Sequence, residues 1–284
     1  MRYLKLLAVL AAAALASVAC KSQYDLLLEG NDTDAKYKAA FEYFENGKYQ
    51  KSATLFESLA MVTQGTERDD TVQYYWGLSN YSDKDFVTAE ANFDRFITNF
   101  PRSPFAESAK FLRIDCMYKS TFRYELDQTP TYKALTAMNE YLIEHPTGMN
   151  ADVIRQMVKD LGERLDKKAF ENARLYYKME DYKAATVAFR NVLKDDSDNI
   201  YREDILYYIA QSSHKYASLS YPEKQKERFL VFVDDYLNFI GEFPESGYRR
   251  ELDGMYRRVQ RFLGKYPTVI PAEEEEPEEQ NEKN

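Results

Sequence analysis

The scarce reactive side chains of this chain are two thiols and two imidazoles: Cys20, Cys116, His145 and His214. A nucleophilic cysteine needs a base held beside it, and a metal site needs several ligands at set spacing. His214 follows "AQSS" on a helical stretch with no second ligand at metal spacing. His145 sits in the turn "EHP", where related segments carry Phe100 and Phe243, so it reads as structural. Cys116 lies in the helical stretch "SAKFLRIDCMYKS" and reads as a small buried hydrophobe. No HExxH, GxSxG, P-loop or GxGxxG occurs. Paired carboxylates such as Asp69–Asp70 read as a solvated face in a chain this charged. The expectation is a protein that is not an enzyme, with no metal and no cofactor.

Cys20 stands apart. Arg2 and Lys5 precede 14 uncharged residues, Leu6–Ala19, which read as the n-region and h-region of an export signal. The run is shorter than the roughly 20 apolar residues that cross a bilayer. It ends in "SVAC", which resembles the lipobox of bacterial lipoproteins. In that pattern residues 1–19 are removed and Cys20 becomes the first residue, carrying acyl chains such as palmitate. The alternative, a cut near Ala16 or Ala19, leaves a stray thiol from which an exported chain gains little. Burying acyl chains contributes about 0.8 kcal/mol per CH₂, and one chain anchors only marginally. Several chains would hold a soluble body firmly to a membrane. With Cys20 acylated, Cys116 has no partner and no disulfide framework supports the fold.

Twenty-four Tyr and 17 Phe stand against one Trp, while 10 Gly and 9 Pro are few, which argues against a β-sandwich or barrel. Without Arg2 and Lys5 the net charge moves from −9 to −11. The tail from Ala272 onward carries seven glutamates and one lysine, so the body is only mildly acidic. Nothing in that balance points to nucleic acid, which calls for a basic stripe.

The elements that position these residues repeat. "NGKYQKSATLFESLA" (46–60), "DKDFVTAEANFDRFI" (83–97) and "KMEDYKAATVAFRNVL" (178–193) share one spacing: Tyr49–Ser52–Phe56, Phe86–Ala89–Phe93 and Tyr182–Ala185–Phe189. Nine residues before each leading ring stands a small residue: Ala40, Gly77 and Ala173. Small residues let two antiparallel helices approach, and the rings fill the space between hairpins. This is the tetratricopeptide (TPR) pattern, although its leading tryptophan is missing in all three copies. "TYKALTAMNEYLIEHP" (131–146) and "RFLVFVDDYLNFIGEFPES" (228–246) add two weaker copies. Phe56, Phe93, Met138, Phe189 and Tyr236 stand 37, 45, 51 and 47 residues apart, longer than the consensus repeat of about 34. Loops at 123–131 and 218–226 are expected to absorb the excess. "NFPRSPF", "EHPTG" and "EFPESGY" close three units with Pro, which stops a helix, and Ser or Gly, which can cap the next.

The expected fold is therefore all-α: an α-solenoid of about five elongated TPR-like helix-turn-helix repeats. Its parts are a signal peptide (1–19), a polar leader (20–33), repeats 1–3 (34–148), repeats 4–5 (149–265) and a disordered acidic tail (266–284).

A lipoprotein signal, a short leader, five long repeats and "FPxS" punctuation together resemble the BamD family, lipoprotein subunits of the machinery (Bam complex) that assembles β-barrels into bacterial outer membranes. Lys21 after the cysteine agrees with outer-membrane sorting, and the acidic tail lies outside the family pattern. The resemblance implies a periplasm-facing, lipid-anchored outer-membrane adaptor that takes part in outer-membrane protein assembly. Its implied partners are unfolded β-barrel precursors, received by the N-terminal repeats, and the barrel-bearing, BamA-type subunit, contacted by the C-terminal repeats. A different TPR lipoprotein scaffolding murein or cell-division enzymes is the alternative.

Two surfaces are candidates for binding. Counted from the aligned rings, the ligand-facing positions of a TPR first helix are Tyr37, Phe41 and Phe44 in repeat 1 and Tyr74, Leu78 and Tyr81 in repeat 2. These stripes either line a peptide groove or belong to the core between hairpins. Ala40 with Tyr43, and Gly77, already supply a core stripe, which favours the groove. At the far end, Arg250, Arg257, Arg258, Arg261 and Lys265 share one helical face. That face reads as a docking site for a partner with carboxylates, as a solvated face, or as a site neutralised by the chain's own glutamate tail.

Overall fold

The computed structural model describes residues 22–265. Cys20, the signal segment and the tail 266–284 lie outside the described residues. Twelve helices and no strand occur among the described residues, so the fold is all-α. The chain divides into two compact units, Met1–Leu161 and Gly162–Asn284. The first contains α1 (Gln23–Glu29), α2 (Thr33–Glu45), α3 (Tyr49–Ala60), α4 (Asp69–Ser82), α5 (Phe86–Asn99), α6 (Ala106–Lys119) and α7 (Thr129–Glu144). The division falls within α8 (Ala151–Lys178). The second contains α9 (Tyr182–Asp195), α10 (Arg202–Ser218), α11 (Pro222–Glu242) and α12 (Arg249–Leu263). Within each unit the main contacts run between helices consecutive in sequence, as in a repeat array.

The three strongest repeats turn by one device. Lys48, Asp85 and Asp181 donate their N–H groups to Tyr43, Asn80 and Tyr176, closing the end of the first helix in a Schellman arrangement. Gly47, Lys84 and Glu180 hold the left-handed position of that turn, at φ +71, +67 and +62. Asp85 and Asp181 then cap the second helix, accepting from Thr88 and Ala184. Asp32 does the same at the start of α2.

Packing follows the repeat. Ser52, Ala89 and Ala185 are fully buried, as are Phe56, Phe93 and Phe189 one turn on. A Cβ at Gly77 would lie 2.9 Å from the Phe93 ring, so only glycine lets α4 and α5 meet at this distance. Ser52 lies between hairpins: its hydroxyl donates to Ala40 O at 2.9 Å and sits 3.0 Å from the Ser79 hydroxyl. Burying each Phe contributes about 1.5–3 kcal/mol.

Four sequence expectations change. Residues 23–29 form a helix rather than a polar leader, because Ser22 and Asp25 make a capping box and Tyr24, Leu27 and Leu28 pack on α2 and α3. Residues 222–226 belong to α11, so length expected in a loop there is helix. The long interval before the fourth repeat is taken up by α8, whose Ile154 and Leu161 pack with Met138 while its Phe170 and Ala173 pack with Phe189. Asp69 is not solvated: it is buried at the start of α4 and accepts the Gly65 N–H at 2.7 Å, and Asp70 accepts from the Ser103 hydroxyl at 2.8 Å.

Two substitutions of opposite sign test this packing. Gly77→Ala must displace the Phe93 ring and is expected to lower stability by about 1–3 kcal/mol. Lys84→Gly relieves a left-handed non-glycine residue and is expected to be neutral or to stabilise by up to about 1 kcal/mol. Urea unfolding followed by circular dichroism reads both. A stabilising Gly77→Ala would contradict the close approach.

Candidate functional sites: an aromatic row and an arginine face

The aromatic row lies on α2 and α4 of the first unit. Tyr37 and Phe41 touch at 5.0 Å between ring centroids, and Phe41 meets Phe56 at 5.1 Å and Tyr75 at 4.7 Å. Phe44 packs on Tyr49 and Tyr75. Tyr37, Phe41, Phe44, Leu78 and Tyr81 are each half-buried. Tyr74 is different: it is 7% exposed, stacked on Phe105 at 4.5 Å, with its hydroxyl 2.8 Å from that of Ser108. It is core between α4 and α6 and is not open to a ligand. Tyr75, beside it in "YYW", carries the row from α2 to α4; the tyrosine doublet was the available signal for it. Arg68 lies over the Tyr37 ring at 4.7 Å while pairing with Asp34, so the row ends in a cation. Half-exposed rings beside a cation suit apolar and aromatic peptide side chains.

The arginine face lies on α12 of the second unit. Leu252, Met255 and Val259 are buried, Tyr256 stacks on Tyr236 at 4.3 Å, and Phe262 meets Phe229 at 5.0 Å. At 3.6 residues per turn, Arg250, Arg257, Arg258, Arg261 and Lys265 fall within an arc of about 100° on the opposite side, and all five are exposed. The carboxylates of the same helix are engaged by neighbouring helices. Glu251 accepts from Tyr207 and Gln211, and Asp253 accepts from Tyr236 and lies 3.7 Å from Arg249. Among the described residues none of the five cations has a carboxylate within ion-pair distance, whereas Arg113, Arg174, Arg190 and Arg202 each meet one.

Tyrosine–carboxylate hydrogen bonds hold both sites, and no sequence pattern pointed to them. Tyr81 donates to Asp115 at 2.5 Å, with Lys119 Nζ 2.6 Å from the same hydroxyl, and Tyr118 donates to Asp160 at 2.8 Å. In the second unit Tyr207 donates to Glu251 and Tyr248 to Asp204. Burial raises Tyr207, with Glu251 adding to it. Tyr236 is pushed up to about 12 by burial and by Asp253. Tyr248 is pushed up to about 12 by its bond to Asp204 and then by burial.

Within the described residues the reactive side chains pack against their neighbours. Cys116 is fully buried and its thiol is pushed up to about 12 by burial. His214 packs on Phe232 at 5.0 Å, and burial, then Arg258 and Lys215, push it down to about 4. His145 packs on Tyr141 at 4.9 Å where α7 ends. No group of metal ligands occurs among the described residues.

Residues 30–230 match the family described as YfiO, outer membrane lipoprotein. A relative from Caulobacter vibrioides, outer membrane protein assembly factor BamD, is 22% identical over 236 residues, covering 83% of this chain and 75% of its own length. Among solved structures, a TPR repeats protein from Bacteroides fragilis is 13% identical, with a TM-score of 0.40, covering 82% of this chain and 100% of its own. The TPR2AB domain of yeast Sti1, in its pHSP90 complex, is 12% identical with a TM-score of 0.37, covering 80% of this chain and 98% of its own.

The raised tyrosines give the second unit a signed alkaline response. Their neutral form is favoured in the fold, so their contribution is full below the ordinary value near 10 and is lost as pH rises to about 12. Tyr236→Phe and Tyr248→Phe should each lower stability at pH 8 by about 1–2 kcal/mol. Both should also flatten the fall between pH 10 and 12. Urea titrations across that range test this, and a fall as steep in the double variant as in the parent would contradict it.

Proposed function

The chain belongs to the YfiO family of outer membrane lipoproteins, and from that premise we propose that it is an outer-membrane, periplasm-facing adaptor in the assembly of β-barrel outer-membrane proteins. The observation that carries the reading is the family match across residues 30–230, which includes all of α2 to α10. The name of the Caulobacter vibrioides relative, an outer membrane protein assembly factor, points the same way. The protein works by binding and not by catalysis.

In this reading Cys20 carries the acyl anchor. The rings around Tyr37, Phe41, Phe44, Leu78 and Tyr81 receive aromatic-rich segments of unfolded barrels, with Tyr74 supporting them from the core. Arg250, Arg257, Arg258, Arg261 and Lys265 dock carboxylates of the barrel-bearing subunit. Half-exposed rings support the first assignment, and five exposed cations with no carboxylate at ion-pair distance among the described residues support the second. An anchor confines both partners to one surface, which raises the effective concentration of each for the other, so modest individual affinities suffice.

In-cell photo-crosslinking tests the assignments. One probe replaces exposed Lys38, beside Tyr37 and Phe41, so the ring packing is preserved; the other replaces Arg257. The Lys38 probe is expected to capture outer-membrane barrel precursors, and the Arg257 probe one large barrel protein with periplasmic repeats. Capture of murein or division enzymes at both positions would overturn the function while leaving the fold intact.

A further inference from the structure

The four exposed arginines of α12 and Lys265 just past its end have no carboxylate at ion-pair distance among the described residues, while that helix's own Glu251 and Asp253 are bound to neighbouring helices. The chain continues directly from this helix. Lys265 is the last described residue and the glutamates begin at Glu273, eight residues beyond it. Glu273–Glu276, Glu278, Glu279 and Glu282, with Lys283, carry a net charge of −6, against +5 on the face. The distances agree. Along the helix axis Arg261 lies about 6 Å back from Lys265 and Arg250 about 22 Å back, at 1.5 Å per residue. The eight steps from Lys265 to Glu273 reach about 25 Å in an extended or polyproline conformation. The glutamates can therefore run back over Arg261, Arg258 and Arg257 toward Arg250.

We propose that the acidic segment Glu273–Glu279 folds back onto the arginine face of α12 within the same chain and occupies it until a stronger carboxylate-bearing partner displaces it. The tail is then a built-in competitor that sets a threshold for docking. A short linker holds it at an effective concentration in the millimolar range, enough to exclude weak acidic ligands and to yield to an extended, complementary surface. Exposed charge pairs are screened by salt, so occupancy falls as ionic strength rises. The threshold rests on the docking role proposed above for this face; the fold-back itself does not.

The test needs no partner protein. A fluorescent peptide of the sequence 272–284 is titrated into the full chain, held in neutral detergent, at about 20 mM and 500 mM salt, with anisotropy as the readout. The comparison protein carries Glu→Gln at 273, 274, 275, 276, 278 and 279, a change outside every helix described. At low salt the Gln-tail protein should bind the peptide at least about ten-fold more tightly than the parent, at any protein concentration. The advantage should vanish at high salt. Adding R257E, R258E and R261E to the Gln-tail protein should abolish binding, with an unchanged circular dichroism melt. Equal affinity in parent and Gln-tail proteins would overturn the proposal, as would binding that survives the arginine reversals. A difference that appears only at high protein concentration would move the contact between chains and overturn it as well. Because no partner enters the titration, its failure is distinguishable from failure of the Arg257 crosslink.

Discussion

Each hairpin depends on how closely its two helices can approach, and the limit is set where a small residue of the first helix meets a ring of the second. At Gly77 there is no room for a methyl group beside Phe93. Ala40 and Ala173 occupy the same place in their hairpins and are almost fully buried. This contact fixes where the outward positions of the first helix fall. The next hairpin then covers Tyr74 through Phe105 and Ser108, while Phe41 and Tyr81 remain half-open. The turn that joins the helices is equally uniform, since the same hydrogen bonds recur whether the left-handed position holds Gly47, Lys84 or Glu180.

Neighbouring repeats are joined by a second kind of contact. A tyrosine hydroxyl on one element reaches a carboxylate on another, 34 residues away for Tyr81–Asp115 and 44 for Tyr207–Glu251. A phenol suits this role because its ring adds to the apolar stack and its hydroxyl reaches the edge of the core, where a carboxylate stays partly solvated. The same bonds engage Glu251 and Asp253, which leaves the arginines of α12 without a carboxylate at ion-pair distance among the described residues.

The hairpins were legible in the sequence because their determinants are local: a ring, a small residue three positions on and a second ring four later define one buried face. The arginine face was legible for the same reason, since it is periodicity within one helix. What spacing could not reveal was contact across repeats. Asp69 and Asp70 looked like solvated carboxylates because nothing local marks Gly65 N–H or the Ser103 hydroxyl as their partners. The helix at 23–29 was hidden by its shortness, and the length of α8 by the absence of a hairpin turn within it. Tyr74 shows the remaining ambiguity, because a ligand-facing register and a core-facing one differ by the rotation that a neighbouring repeat imposes.

Helix α12 packs on α11 and α10 through Leu252, Met255, Val259 and Phe262 and turns its other side to solvent. In a stack whose members are stabilised by nearest neighbours, an element buttressed on one side opens before those held on both. Amide protons of α12 will therefore exchange at a lower free-energy cost than those of α10, which packs against α9 and α11 together. Whatever covers the arginine face adds a second buttress, so occupancy of that surface will be recorded in the local breathing of the backbone beneath it.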